Sequence, residues 1–219
     1  MNLWESFLNQ PNYPSVKWTH YFPIYEKHFE KYRNRTLTFL EIGTYLGGSS
    51  HMWSRYFGPL STIVSIDNDP SCKQYEKNNI HIRIGDQSDH NFLQSVIDEF
   101  GIPDVVLDDG SHRHYHINSS FQFLYPKMPY NSIYMVEDLH TSYQGWFDGS
   151  LNNPDTFLNK CKGYIDQIHI NHTAGQVQKD PTVDGTYSMS VYDSIVVFEK
   201  QKPYTYKGIW STGEEINDA

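Results

Sequence analysis

Cysteine is scarce in this chain. Its two cysteines, Cys72 and Cys161, make no metal-binding spacing, and the expectation is a pair of free thiols in a reducing cytosol. Blocks of lysine or arginine are absent and the net charge is −9. Phosphate backbones need a basic face, so a nucleic-acid partner is excluded. No apolar run reaches the length of a membrane span. The opening MNLWESFLNQ lacks both the basic start and the apolar core of a secretory signal. These absences imply a cytoplasmic chain with no membrane partner. Internal repeats and low-complexity linkers are missing as well.

Aromatic residues are plentiful: they make up 16% of 219 residues, with 17 Tyr and 5 Trp. The length allows one large domain with a substantial core. Residues 1–35 read as a helical lead-in. In HYFPIYEKHFEKYRNR, Tyr21, Ile24, Tyr25, His28, Phe29 and Tyr32 recur at three- and four-residue steps, with Pro23 near the helix start. Apolar strands at 37–43, 62–67, 80–86, 104–109 and 132–138 then alternate with helices at 49–57, 70–78, 90–101 and 116–128. A further helix is expected at 155–170. YSMSV and SIVVFEK flank Tyr192-Asp193 as an antiparallel hairpin. The expected fold is α/β: a doubly wound, Rossmann-like sheet of five parallel strands closed by that hairpin, over residues 36–203. Residues 204–219 form a tail. Such sheets bind ligands at the carboxyl ends of their strands.

Those strand ends carry the chemistry-bearing residues. Strand one runs into EIGTYLGGSS, with Glu41, Gly43, Gly47 and Ser49 at a strand-to-helix turn. Glycines there admit a ligand close to the backbone. The dinucleotide spacing G-x-G-x-x-G is not met, and a carboxylate two residues before Gly43 opposes a pyrophosphate. It suits a ligand with an amino acid end, of which S-adenosylmethionine (SAM) is one; a packing turn with no ligand is the bland alternative. Asp67 ends strand two, where an acid accepts ribose hydroxyls, while Asp69 suits the cap of the next helix. Asp86 and Gln87 end strand three, placed to meet an adenine amine.

Strand four ends at Asp108-Asp109 and strand five at Glu137-Asp138, one βαβ unit apart. Four carboxylates at one sheet edge call for a cation. Oxygen donors select Mg²⁺, Mn²⁺ or Ca²⁺ over zinc. The alternating His112, His114 and His116 sit where the chain turns into a helix, a poor scaffold for zinc. His112, three residues past Asp109, is the candidate general base. His114 is assigned to substrate contact and His116 to structure. Asp108 is placed with the cofactor. Tyr143, Trp146 and Phe147 follow the strand-five acids and suit an acceptor wall.

FLEIGTYLGGSSHMW, SIDNDPSCKQYE, IRIGDQSD, VVLDDGSH and YMVEDLHTSY, in this order, resemble the bacterial SAM- and Mg²⁺-dependent sugar O-methyltransferases of macrolide type, to which cephalosporin-hydroxylase proteins are related. KWTHYFPIYEKHF and YDSIVVFEK resemble the family's opening and closing segments, so the likeness spans about residues 17–200. It implies metal ligands at Asp109, Glu137 and Asp138 and a catalytic base at His112. It also implies SAM contacts at Glu41, Gly43, Ser49, Asp67 and Asp86. Members with macrolide substrates carry an additional N-terminal domain, where this sequence shows a short helical lead-in.

The expected reaction is methylation of a sugar hydroxyl, with Mg²⁺ or Mn²⁺ lowering the hydroxyl pKa and histidine, which exchanges protons near neutrality, removing the proton. Two rivals keep the same site: a catechol-like acceptor, and a SAM-binding subunit without turnover. The aromatic first helix is a candidate homo-oligomer contact.

Overall fold

The structure, a computed structural model, describes residues 2–9 and 12–216. The chain begins with two short helices, α1 (Leu3–Leu8) and α2 (Tyr21–Phe29). Asn2 closes a capping box with Glu5 at the head of α1. The lead-in is therefore not helical throughout. Residues 12–18 form no helix or strand, and Pro14 removes a backbone donor there.

The alternating part follows the expected order: β1 (Leu37–Ile42), α3 (Gly48–Phe57), β2 (Ser61–Asp67), β3 (Ile80–Ile84), α4 (His90–Phe100), β4 (Val105–Asp108), α5 (His114–Leu124) and β5 (Ile133–Val136). The expected helix at 70–78 is a 3-10 turn, Pro70–Tyr75, capped by Asp69 accepting from the Ser71 N–H. Helix α6 (Phe157–Ile168) precedes the hairpin β6 (Thr186–Tyr192) and β7 (Ile195–Lys200). In the tail, two residues each of β8 (Gly208–Ile209) and β9 (Glu215–Ile216) pair with one another.

The main sheet has seven strands in the order β3-β2-β1-β4-β5-β7-β6. The first five are mutually parallel, and β7 is antiparallel to both neighbours. This is the class I methyltransferase arrangement. Side chains alternate between the two faces of each strand. Leu37, Phe39, Val105, Leu107, Ile133 and Met135 join one core, with α1, α2 and α3. Leu40, Ile42, Val106, Tyr134 and Val136 join the other, with α4, α5 and α6. The lead-in thus belongs to the main core, where Tyr21, Tyr25 and Phe29 are buried. Cys72 and Cys161 are both free and buried.

Candidate active site

Strand parity decides which acids meet. The β4–β5 ladder pairs Asp108 with Val136, so Asp109 and Glu137 follow one step beyond in register. The Asp109 N–H donates to Ile42 and the Glu137 N–H to Asp108, extending the parallel ladder past its formal ends. Asp109 and Glu137 share the parity of Leu107 and Met135 and so face α2. Asp108 shares the parity of Val106 and faces the opposite core. There it is buried and accepts from Ser120 Oγ (2.8 Å), Gln87 Nε2 (3.2 Å) and the Tyr134 hydroxyl (3.2 Å). Burial pushes its carboxyl above the usual range, against the pull of the Ser120 and Gln87 hydrogen bonds. The expectation that Asp108 touches a cofactor is corrected: it braces the end of β4 from beneath.

A cleft of about 540 Å³ runs along the strand ends, within the size range of small-molecule sites. Gly43, Asp67, Asp86, Gln87, Asp109, His112, Glu137 and Asp138 line it. Asp67 Oδ2 accepts from the Thr44 and Tyr45 N–H groups (2.9 and 3.0 Å), pinning the glycine turn. Asp86 accepts from the Ser88 N–H and hydroxyl, which hold its carboxyl below the usual range. Gln87 spans the floor, its Oε1 accepting from the Ser111 N–H (3.0 Å).

Other expected contacts lie off the cleft. Glu41 has no exposed surface and accepts from Ser50 Oγ (2.6 Å) and Trp53 Nε1 (3.0 Å). Burial raises its carboxyl, opposed by Lys17, Ser50 and Ser49. Glu41 and Ser49 therefore build the turn from behind. Gly43 and Gly47 have positive φ, and a side chain at either would strike protein: the Asp109 carbonyl oxygen at Gly43, the Tyr75 ring at Gly47. Both glycines answer to packing, and only Gly43 reaches the cleft. His114 is buried away from the cleft, which lowers its basicity. Trp146 is 89% exposed, and Tyr143 borders a separate apolar hollow. Of the expected aromatic wall, Tyr143 and Trp146 stand off the cleft, whereas the Phe147 ring meets His112 edge-on with ring centres 6.0 Å apart. His116, assigned to structure, lines it and holds Ser111 Oγ at 2.8 Å.

The residues that the sequence reading missed come from the lead-in. Lys17 Nζ donates to Asp109 Oδ2 and to Glu137 Oε2 (2.7 Å). The Tyr25 hydroxyl donates to Glu137 Oε1 (2.5 Å) and the Tyr21 hydroxyl to Asp138 Oδ1 (2.6 Å). Burial alone would lower the Lys17 ammonium; Asp109 and Glu137 outweigh it and hold the ammonium above its ordinary range. Burial likewise pushes the Glu137 carboxyl up, while Lys17 pulls it down. Both tyrosines are pushed up by burial and the adjoining acids, so they remain protonated donors. Trp18 stacks on His140 with ring centres 4.7 Å apart, and Trp18 and Tyr21 of the lead-in line the cleft.

Asp109, His112 and Asp138 each offer a donor atom, all within 4.8 Å of one another. His112 and Asp138 both hold left-handed backbone (φ 58° and 56°). Non-glycine residues reach that region at a cost, and such sites concentrate where geometry serves function. His112 Nε2 lies 3.8 Å from Asp138 Oδ2. Two carboxylates and an imidazole around an opening, with the Glu137 carboxylate adjoining them beneath Lys17, fit a hard divalent cation.

No family model matches the chain. It is 31% identical over 86% of its length to 8-demethyl-8-alpha-L-rhamnosyl tetracenomycin-C 2'-O-methyltransferase of Streptomyces olivaceus, covering 52% of that protein. It is 32% identical over 85% of its length to mycinamicin VI 2''-O-methyltransferase of Micromonospora griseorubida, covering 50%. The chain is similar in sequence to these sugar O-methyltransferases and spans about half the length of the curated relatives it matches. MycE of the mycinamycin biosynthetic pathway, solved with Mg, S-adenosylhomocysteine (SAH) and mycinamycin VI, superposes on 92% of this chain and 54% of its own. The TM-score is 0.80 and the identity 29%. Among the described residues no helix is long and apolar enough to cross a membrane.

Proposed function

We propose that this chain is a SAM-dependent, Mg²⁺-dependent O-methyltransferase acting on a sugar hydroxyl of a glycosylated polyketide. The observation that carries the reading is that Asp109, His112, Glu137 and Asp138 line one cleft together with Gly43, Asp67 and Asp86. Relatives named for methylation of rhamnosyl tetracenomycin and mycinamicin support the acceptor class.

Bound SAM would supply the electrophilic methyl, and a bound Mg²⁺ (or Mn²⁺) would lower the pKa of the acceptor hydroxyl. Asp109, Glu137 and Asp138 are the residues to hold the metal. Asp67 and Asp86 face the nucleoside end of the cleft. His112 accepts the hydroxyl proton as the acceptor oxygen takes the methyl group, and the sulfur departs with its bonding pair as SAH. Asp138, beside His112, steadies the imidazolium that forms. Trp18, at the mouth of the cleft, offers a ring face to an apolar sugar face.

The test incubates the protein with SAM, Mg²⁺ and a panel of rhamnosylated and other deoxysugar-bearing polyketides, with catechols as controls. Mass spectrometry reads the gain of one methyl. Methylation of catechols alone would remove the sugar assignment. Unchanged turnover in EDTA would remove the metal.

A further inference from the structure

Lys17 stands where a metal needs to be. Its side chain is 3% exposed, and its ammonium bonds two of the three proposed metal ligands. Glu137 is 1% exposed, with one oxygen taken by Tyr25 and the other by Lys17. While Lys17 is seated, the donors that stand together at the opening are Asp109, His112 and Asp138. A histidine in that set has its lone pair on the metal and cannot take a substrate proton. Glu137 can replace it only when its Oε2 is released. The two arrangements exclude each other. In one, lysine is seated and His112 is a ligand; in the other, lysine is withdrawn, Glu137 is a ligand and His112 is the base.

The lead-in is built to permit the exchange. Residues 12–18 carry no helix or strand hydrogen bonding. Tyr13 stacks on His51 (3.9 Å) and Trp18 on His140 (4.7 Å), so the segment is held at both ends by rings. Between them Val16 is exposed. Lys17 can leave without unfolding α2, which Tyr21 and Tyr25 anchor independently.

We propose that Lys17 is a displaceable internal cation that neutralises Asp109 and Glu137 until a divalent metal takes its place, so that Glu137 completes the ligand set and His112 stays off the metal to act as base. The proposal rests on the metal-dependent reading above, but its test needs no acceptor. Calorimetry with Mn²⁺ compares the wild type with Lys17→Met and Lys17→Arg. Lys17→Met is expected to bind Mn²⁺ at least about tenfold more tightly, because no buried cation must be expelled, and Lys17→Arg not to. Equal or weaker binding by a folded Lys17→Met protein would overturn the proposal and leave the metal-dependent reading standing. The wild type supplies a second measurement. Residues 1–17 contain no lysine or arginine before Lys17, so trypsin releases that fragment only when Lys17 is accessible. Saturating Mn²⁺ is expected to accelerate its release several-fold. Protection of the Lys17–Trp18 bond in the metal-loaded protein would overturn the exchange. Absence of Mn²⁺ binding by every variant would overturn the metal in the proposed function together with this inference.

Discussion

Asp108 and Asp109 are neighbours in sequence with opposite fates. Asp108→Ala removes the acceptor shared by Ser120, Gln87 and Tyr134 in a dry core. Chemical denaturation should show a loss of about 2–4 kcal/mol. Asp109→Asn weakens one of the two ion pairs that hold the buried Lys17, so it too should lower stability, and it should also abolish metal-dependent turnover. Full metal-dependent turnover in Asp109→Asn would contradict the parity assignment. His112→Ala should slow turnover about 10²–10⁴-fold with SAH affinity within error by calorimetry; near-normal turnover would remove the base assignment. The acids of the site were legible because they end apolar strands. Their division between the faces was also written in the sequence, as the alternation Val105, Val106, Leu107, but a pair of adjacent aspartates hides it. Lys17, Tyr21 and Tyr25 carried no local signal: their partners lie 92 to 120 positions downstream, and no spacing rule spans that distance.

At the scale of elements, most strands and long helices were readable to within a residue or two from hydrophobic periodicity and from stops such as Gly101, which ends α4 with φ 84°; α5, expected at 116–128, ends four residues early at Leu124, where a 3-10 turn holding Pro126 takes over. The extended stretch before α2 was not, because aromatic residues in a short segment fit a helix as readily as a strap. The tail hairpin β8–β9 escaped for a related reason, since two-residue strands have no period. Helix α2 is joined to the last strands through Glu199 on β7, which meets His28, Lys31 and Ser188. His28, whose Nδ1 lies 3.7 Å from Glu199 Oε1, leads the contacts that hold the Glu199 carboxyl down at about 2. A depressed carboxylate stabilises the fold above its unfolded pKa, near 4.5, and loses that contribution as pH falls toward 2. Glu199→Gln should therefore cost about 1–2 kcal/mol at neutral pH and flatten the stability profile below pH 5. An unchanged profile would show that the contact is energetically idle. At the β1 turn, Gly43→Ala places a Cβ against the Asp109 carbonyl oxygen at positive φ. It should lower the melting temperature and abolish SAH binding together.

For the whole molecule, one cleft along one sheet edge means that ligands and fold share the same free energy. A ligand at a hundred times its Kd adds about 2.7 kcal/mol, which for a chain of this size raises Tm by about 5–10 °C. SAH with Mg²⁺ should produce a shift of that order in scanning calorimetry, and Asp67→Ala should remove most of it. A full shift in that variant would move the nucleoside elsewhere. The lead-in has a different consequence, in time rather than space. Lys17, Tyr21 and Tyr25 meet acids on strands that emerge much later in synthesis. Contacts of such sequence separation form slowly, since a long loop must close before they are gained. A nascent chain halted before β5 holds the apolar face of α2 without the strand ends that receive it. The site is therefore completed only after β5 has emerged, long after the lead-in that it receives.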